Sequence, residues 1–461
     1  MFANGAAGLI LALFFAELHF SDARIGVFMT LTMVGDVILG TWLTLIADRV
    51  GRRKILMAGS VLMILTGALF AVFENYWLLL FAAVVGVVSA TGGDFGPFRA
   101  IEESILSQLT TLETRTDVLS WYVTLSTWGS AIGSEAGGRI FESLQQLDGW
   151  TATRAYHAIF WLYAVMGVVN VVIVLLLTNE CEAAGSTQDY TKLPAEDDDV
   201  ELDESPREPQ DPASLQTPLE APRSIWGKAK SWFSTRITSI SAPTRSVMYK
   251  LWILLAVDSI SDGMVPYSLT NYYMDVTFHP SKATLGDVTS VAYLLGAISS
   301  MFAGPLAKKL GLINTMVFTH VPSSAAVLLF GLPNAFWLCA ILLFVRAGLN
   351  NMDQSPRSAF IAAVVKPEER TAVMGITSTI RTLAATAGPG LTGLLAENDR
   401  FWVAFVVGGA LRLTYDLGLY VLFVNMKIEG EKPRQSINDE SSTPSDGEES
   451  VELAVKTDTS V

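Results

Sequence analysis

The sequence has few charged residues for its length. Of 461 residues, 16% are Asp, Glu, Lys or Arg, whereas 51% are hydrophobic. Soluble domains carry roughly 25% charged residues. This composition therefore excludes an ordinary soluble enzyme, a nucleic-acid-binding protein and a disordered chain, and we expect no nucleic-acid partner.

Cysteine and histidine are scarce as well. Cys181 and Cys339 are the two cysteines, too few for a disulfide scaffold. The four histidines lack the spacing of metal ligands, so we expect no metal site. The chain also lacks the Gly-x-x-x-x-Gly-Lys-Ser/Thr loop of ATP-binding proteins and any nucleophile–base pair. We therefore expect neither a cofactor nor an enzyme.

The net charge of −14 is confined to two segments. Residues 180–222 hold thirteen acidic and two basic side chains, and residues 427–461 hold nine acidic and four basic ones. The rest of the chain is close to neutral. The acidity is thus a property of the two polar segments, and it does not identify an acidic or basic substrate.

Long apolar runs fill the rest of the chain. A helix of about 20 apolar residues crosses a bilayer, and a backbone in lipid must satisfy its own hydrogen bonds. We predict an all-α integral membrane protein with twelve transmembrane helices. They are placed at residues 2–19, 25–46, 55–73, 77–99, 117–140, 156–178, 249–273, 285–306, 312–331, 335–357, 372–395 and 401–424.

A long polar segment divides these spans six and six. We predict an N-terminal six-helix bundle (1–178), an acidic disordered cytoplasmic loop (179–222), a basic amphipathic juxtamembrane segment (223–248), a C-terminal six-helix bundle (249–427) and an acidic disordered cytoplasmic tail (428–461). Over residues 223–250, basic residues alternate with Ile, Trp and Phe. That pattern is typical of a helix on an anionic inner leaflet, and a plain linker is the alternative.

Basic residues in the loops set the orientation. With the N-terminus inside, the inner loops hold nine Lys and Arg and the outer loops hold five. Since cytoplasmic loops carry the excess of basic residues, we predict that both termini are cytoplasmic.

The two groups of six spans show an internal repeat. A shift of 255 residues places Glu113 on Glu368, Arg115 on Arg370 and Gly133 on Gly388. The simplest explanation is two homologous six-helix halves in the same orientation. Parallel halves of this kind suit a rocking transporter with a binding site near the middle of the membrane.

Three motifs carry a resemblance to a known family. Residues 47–54 (ADRVGRRK) resemble the signature between the second and third spans of the major facilitator superfamily. Residues 129–138 (GSAIGSEAGG) resemble its antiporter signature, with Ser134 in place of the usual proline. Asp94 with Pro97-Phe98-Arg99, and Pro356-Arg357 in the repeat, resemble a largely uncharacterised, fungal-type branch. The resemblance implies the major facilitator fold and alternating access, with no substrate assigned.

Two groups of residues are predicted to control the conformation. At the cytoplasmic edge, charge-assisted hydrogen bonds can latch the halves, although a basic loop that only sets topology is the alternative; the residues are Asp48, Arg49, Gly51, Arg52 and Arg53. Glycines of the fifth and eleventh spans are predicted to be gate or hinge positions, with close helix packing as the alternative. They are Gly133, Gly137, Gly138 and Gly388.

Ionisable residues within the spans are functional candidates, because burying them in a membrane is costly. Asp36 lies near the middle of its span. Asp258 and Asp262 lie four residues apart on one face of the seventh span. Because two carboxylates this close cannot both be charged without cost, one of them can hold a proton, as a proton-coupling site requires. In the alternative, Asp258 pairs within the bundle and Asp262 meets outer water. The other substrate- or proton-binding candidates are Asp94, Arg99, Arg346, Asp353, Arg357 and Arg381. For Arg99 and Arg357, bracing the latch at residues 47–54 is the alternative.

The C-terminal spans hold further polar residues. Arg346 and Arg381 are central in their spans, which suits an anionic or carboxylate cargo or a gating pair with an aspartate. We predict that the polar tenth span is a cavity wall and that Arg412 and Asp416 pair with each other. His320 is predicted to be a satisfied packing residue, with a proton relay as the alternative.

Together these features predict a secondary active transporter of a small organic molecule. A proton gradient is the expected energy source, because titratable groups lie within the spans. Efflux is slightly favoured over the alternative of a nutrient-uptake symporter. A non-transporting sensor that signals through its cytoplasmic loop and tail is an alternative of another class. We expect a monomer in the plasma membrane or the vacuolar membrane.

Overall fold

The computed structural model describes residues 1–86, 98–111, 114–182, 240–366, 369–397 and 400–424, and their regular secondary structure is helical. Asp94, the predicted loop from residue 183, the basic segment up to residue 239 and the tail lie outside the described residues. The helices are α1 (Phe2–Glu17), α2 (Asp22–Val50), α3 (Arg52–Val72), α4 (Tyr76–Gly86), α5 (Arg99–Leu109), α6 (Arg115–Gln145), α7 (Ala152–Leu176), α8 (Ala242–Met264), α9 (Tyr267–Phe278), α10 (Lys282–Leu310), α11 (Leu312–Leu329), α12 (Phe336–Asn350), α13 (Gln354–Val364), α14 (Arg370–Ala396) and α15 (Phe401–Phe423).

Six of these helices are long and apolar enough to cross a membrane, namely α2, α3, α7, α10, α11 and α15. Helix α1 is apolar but shorter, and it lies inside the protein, with twelve of its sixteen residues buried. In contrast, α7 exposes large apolar side chains such as Trp161, Leu175 and Leu176. Apolar side chains on an outer surface are what lipid contact requires.

The seventh predicted span is divided into two helices. Helix α8 begins at Ala242, so the predicted boundary between residues 248 and 249 is wrong and falls inside a helix. The helix ends before Pro266, because proline has no N–H to donate and disfavours helical geometry at the preceding residue. At its start, the Ser241 N–H donates to Glu369 Oε1 at 2.9 Å, and this hydrogen bond lowers the pKa of the Glu369 carboxyl.

Two other predicted spans also differ from the structure. The tenth is interrupted by a 3₁₀ helix, Asn351–Asp353, and helical structure continues to Val364 rather than residue 357. In the fourth, Arg99 is the first residue of α5, which runs to Leu109 and so extends past the predicted end. The interruption of the tenth span falls in a segment rich in polar residues.

The two halves, α1–α7 and α8–α15, meet at one end, which we name the closed end. A Cβ built on Gly26 would lie 2.4 Å from the Pro389 carbonyl oxygen, and one on Gly138 would lie 2.3 Å from the Lys282 carbonyl oxygen. Only glycine permits these approaches of α2 to α14 and of α6 to α10. Across the same end, Tyr272 Oη donates to Asp22 Oδ1 at 2.6 Å.

At the opposite end, which we name the open end, the same helix pairs separate. A Cβ built on Gly304 of α10 or on Gly375 of α14 would have no atom of another helix within 4 Å among the described residues. Trp121 of α6 and Met301 of α10 are largely exposed there. The helix pairs therefore diverge from the closed end toward the open end, where Arg49 and Lys308 also lie.

Candidate functional site

A cluster of buried charged side chains lies inside the C-terminal half. Helices α8, α11, α13 and α15 and the 3₁₀ helix at Asn351–Asp353 supply its members. We name it the charge cluster; it consists of Asp258, Asp262, His320, Asp353, Arg357, Arg412 and Asp416. All but Asp262 are buried, and the Asp262 side chain is 33% exposed.

Arg412 is the centre of the charge cluster. Its Nη1 donates to Asp262 Oδ1 at 2.8 Å. Its Nη2 contacts His320 Nε2 at 2.8 Å and also donates to the Asn350 amide oxygen. The predicted pair with Asp416 is wrong, because Arg412 reaches across the bundle to α8, α11 and α12. Arginine suits this position, since its planar group offers five donors in fixed directions.

Asp416 binds α11 instead of Arg412. Its Oδ1 lies 2.6 Å from His320 Nδ1, and its Oδ2 accepts from Ser324 Oγ at 2.7 Å. His320 is thus satisfied, as predicted, but by charged side chains on both ring nitrogens rather than by packing alone. The ring also meets Tyr415 edge to face, with centroids 5.5 Å apart.

Asp258 is held less tightly than the other carboxylates. Its Oδ2 lies 4.0 Å from Arg357 Nη1, which donates at 2.7 Å to Asp353 Oδ2. Its Oδ1 lies 3.7 Å from His320 Nε2 and accepts no hydrogen bond from the described residues. A buried carboxylate oxygen without a hydrogen bond is costly, so this oxygen is an available acceptor.

A small polar cavity opens beside these groups. Its volume is about 10 Å³, roughly the space that one water molecule needs. The structure brings five of the nine predicted substrate- or proton-binding residues together here, namely Asp258, Asp262, Asp353, Arg357 and Arg381. The cavity is lined by these five with His320, Asn350 and Gln354.

Arg346 binds the backbone where α8 ends. Its Nη2 donates to the Val265 carbonyl oxygen at 2.5 Å, and its Nη1 donates to Thr270 Oγ1 at 3.3 Å. The guanidinium also lies over the Tyr267 ring, 5.7 Å from its centroid. These contacts satisfy a carbonyl that the helix break leaves without a partner.

Arg346 and Arg381 share a feature that separates them from Arg357 and Arg412. Within the described parts of the chain, no carboxylate lies at ion-pair distance from either of them. Arg381 Nε also lacks a hydrogen-bond partner there. Two interior guanidinium groups therefore have no anion bound to them in the described structure.

Asp36 and Arg99, two other predicted binding residues that the structure describes, lie apart from the cavity. Asp36 is half-buried on α2 of the N-terminal half. Arg99 forms an ion pair with Glu103 one turn along α5, with Nε and Oε1 2.5 Å apart. The sequence does not show this separation, because depth along a span does not specify which neighbours a side chain faces.

The predicted latch residues lie at the open end. Arg52 Nη1 donates to Gln108 Oε1 at 2.8 Å, and Arg53 Nη1 donates to Asn179 Oδ1 at 2.6 Å. Glu182 accepts from the backbone N–H of Arg52 at 2.6 Å. These contacts join parts of the N-terminal half, so they do not support a latch between the halves in this conformation. Arg49 is exposed, Gly51 adopts a positive φ of 108°, and the Asp48 side chain lies outside the described residues.

The four predicted gate glycines contact different parts of the protein. A Cβ on Gly133 would lie 1.9 Å from the Phe2 carbonyl oxygen, and one on Gly137 would lie 3.2 Å from Ala6 Cα, so both pack on α1. Gly388 packs on Gly263 beside the break after α8. Gly138 alone of the four contacts the opposite half.

Ser324 and the partners of His320 and Arg412 were not predicted from the sequence. His320 and Ser324 lie one turn apart on α11 and face Asp416 together. The spacing of four residues is a signal that a second polar residue shares the face of a buried histidine. The pairing of Arg412 with Asp262 has no such signal, because the two residues are 150 positions apart.

Comparisons with known proteins agree on one family. A model of the Major Facilitator Superfamily matches residues 1–242 and 251–451. An uncharacterised membrane protein of Saccharomyces cerevisiae is 30% identical over 431 residues, which cover 93% of this chain and 92% of that protein. A probable anion transporter 7 of Oryza sativa subsp. japonica is 26% identical over 410 residues, which cover 82% of this chain and 80% of that protein. The nucleoside transporter NupG has a similar fold, with a TM-score of 0.63 at 13% identity over 92% of this chain and 96% of that one.

Proposed function

Because the chain belongs to the major facilitator superfamily, we propose that it moves a small organic anion across a membrane by alternating access, coupled to protons. The family makes it an integral, multi-pass membrane protein and a transporter rather than an enzyme. The yeast relative confirms the resemblance to an uncharacterised fungal-type branch. The cargo, the coupling ion and the direction are the proposed parts.

The two interior arginines without carboxylate partners carry the proposal of an anionic cargo. A buried guanidinium is costly unless an anion or several acceptors satisfy it. Arg346 has backbone and hydroxyl acceptors, whereas Arg381 lies beside a polar cavity and its Nε has no hydrogen-bond partner among the described residues. A bound carboxylate or phosphate supplies the missing acceptors in a bidentate geometry. The name of the rice relative, a probable anion transporter, supports this class.

Twelve spans and cytoplasmic termini are proposed from the sequence. In that topology the closed end faces outward, and the open end, with Arg49 and Lys308, faces the cytoplasm. The conformation is then inward-open, and transport requires the closed end to separate while the open end closes. We propose a monomer in the plasma or vacuolar membrane, with residues 223–239 on its anionic inner leaflet.

A proton gradient is the proposed energy source, with no cofactor. Buried carboxylates and a histidine in the charge cluster supply titratable groups within the transport domain. Efflux is favoured by the glycine motif at residues 129–138, and uptake by symport is the alternative. A sensor of another class would bind the anion without moving it.

Ligand-induced thermal stability of the purified protein tests the cargo class. We expect succinate to stabilise the protein more than succinamide, or glycerol 3-phosphate more than glycerol, because each pair differs in its negative charge. A ligand at 100 times its dissociation constant stabilises the folded state by about 2.7 kcal/mol. Arg381→Ala should abolish the difference.

The matched control is Arg154→Ala, which removes an exposed side chain that donates to the Gly149 carbonyl oxygen at 3.0 Å, away from the charge cluster. This variant should keep the full difference between charged and neutral ligands. Equal stabilisation by succinate and succinamide, together with equal stabilisation by glycerol 3-phosphate and glycerol, contradicts an anionic cargo.

A further inference from the structure

We infer that His320 Nε2 is the proton-binding atom of this protein and that Arg412 transmits the binding to Asp262. The inference rests on the proposed proton coupling and assigns it to one atom. The buried side chain of His320 links helix α11 to helices α8 and α15. Four observations lead to this assignment.

The first observation fixes the hydrogen on the ring. A guanidinium group only donates hydrogen bonds, and Arg412 Nη2 lies 2.8 Å from His320 Nε2. Nε2 must therefore present its lone pair, and in a neutral imidazole the hydrogen is then on Nδ1. There it is donated to Asp416 Oδ1 at 2.6 Å. The structure thus holds His320 as the neutral Nδ1–H tautomer.

The second observation is a hydrogen-bond acceptor that lies close to Nε2. Asp258 Oδ1 lies 3.7 Å from this atom and accepts no hydrogen bond from the described residues. A proton added to Nε2 turns this contact into a charged donor facing a carboxylate. Charge-assisted hydrogen bonds of this kind are about twice as strong as neutral ones. Asp258 is therefore placed to receive the new N–H.

The third observation is the set of charges around the ring. Carboxylates face it from α8 (Asp258, Asp262), from the 3₁₀ helix (Asp353) and from α15 (Asp416). Cations lie on α13 (Arg357), α14 (Arg381) and α15 (Arg412), with Arg346 of α12 beyond them at the end of α8. Of these, Arg412 contacts the ring itself and Arg357 is tied to Asp353. The cavity beside the cluster has space for roughly one water molecule, which can bring the proton.

The fourth observation is what Arg412 holds. After Nε2 takes up a proton, Nε2–H and Arg412 Nη2–H are two donors pointed at each other, so the hydrogen bond between them breaks and the N–H of Nε2 bonds to Asp258 Oδ1. Arg412 must then move from the ring. The same guanidinium binds Asn350 and the partly exposed Asp262. Proton binding on α11 therefore loosens the contact between α15 and α8.

The direction of the effect follows from the conformation. The arrangement with the closed end shut contains the Arg412–His320 hydrogen bond, and this bond requires a neutral ring. A proton on His320 therefore destabilises this conformation relative to the one in which the closed end opens. The proton is bound from one side of the membrane and released toward the open end on return.

Nitrogen NMR of a single-histidine variant tests the tautomer. His19→Gln, His157→Gln and His279→Gln leave ¹⁵N-labelled His320 as the one histidine, with its surroundings intact. We expect the Nδ1–H tautomer at about pH 7.5 and a protonated ring at about pH 5, because histidine titrates in this range. An Nε2–H tautomer at the higher pH, or a neutral ring at both, overturns the inference.

Distances between spin labels test the conformational effect. Leu147→Cys and Leu332→Cys place labels on exposed sites of the two halves at the closed end, with Cys181 and Cys339 replaced by alanine. In lipid nanodiscs we expect the distance to increase when the pH falls from about 7.5 to about 5. His320→Asn, whose amide can still donate to Asp416, should lose this increase, and His157→Asn should keep it.

If the distance between the labels still increases at low pH in His320→Asn, the inference is overturned. It is also overturned if the distance does not increase in the protein with native His320. Neither measurement uses a cargo, so their outcome is separate from that of the proposed transport. A protonated His320 with a moving closed end, but no pH-driven flux in liposomes, contradicts the proposed function and leaves the proton site standing. Proton-driven flux together with a His320 that binds no proton supports the proposed function and overturns the inference.

Discussion

At the scale of single residues, Arg412 determines whether the charge cluster is stable. Removing one partner of a buried ion pair costs about 3–5 kcal/mol, because the other charge stays buried without compensation. We expect Arg412→Ala to lower the free energy of unfolding by this amount. Adding Asp262→Asn to this variant should restore part of the lost free energy of unfolding, since the amide carries no charge that would be left without a partner.

Unfolding in detergent measures these changes, with Arg139→Ala as the control. Arg139 pairs with Asp287 at 3.0 Å, but its side chain is 58% exposed, and such pairs contribute about 0.2–1 kcal/mol. A double variant whose loss equals the sum of the single losses would show that Arg412 and Asp262 do not interact.

The residues of the charge cluster were predictable in part. The spacing of Asp258 and Asp262 on one helix face indicated that both belong to one site, and the structure places both on the same cavity. The predicted pairing of Arg412 with Asp416 was wrong for a physical reason. Local spacing only permits a pair, and Arg412 has better acceptors on three other helices.

At the scale of helices, Gly138 makes one of the close contacts between the two halves at the closed end. A Cβ there would lie 2.3 Å from the Lys282 carbonyl oxygen of the opposite half. We therefore expect Gly138→Ala to separate α6 from α10 and increase the distance between labels at residues 147 and 332.

The neighbouring Gly137→Ala is the matched control. Its Cβ would meet Ala6 of α1 at 3.2 Å, within the same half. It should reduce stability without increasing the distance between the labels. Equal distances in both variants would show that the α6–α10 contact does not set the conformation.

The positions of the helices could be predicted from the apolar runs, but the interruptions within the predicted spans could be predicted only in part. Pro266 breaks the seventh span because proline removes a donor, and this signal was present in the sequence. The 3₁₀ helix at Asn351–Asp353 has no proline within it. Asp353 at its end forms an ion pair with Arg357 four residues along the chain, and this spacing alone does not distinguish a 3₁₀ turn from a continuous α-helix.

At the scale of the whole molecule, the repeat and the motif at residues 47–54 identified the family, whereas the conformation was not predictable. One sequence must specify both the inward-open and the outward-open state, so their energies differ by only a few kcal/mol. The predicted latch illustrates this, because Arg52 and Arg53 bind Gln108 and Asn179 of their own half here. The latch between the halves therefore stays a prediction.

Flux of an anion against its gradient in liposomes tests proton-coupled transport most directly. The purified chain is reconstituted, and uptake of radiolabelled succinate or glycerol 3-phosphate, whichever stabilises the protein, is measured with an imposed pH gradient. Accumulation with an acid interior is expected for the favoured exchange with protons, and accumulation with an acid exterior for symport. A protonophore should abolish either. Flux of equal size with and without the gradient contradicts proton coupling, and binding without any flux contradicts transport and favours a sensor.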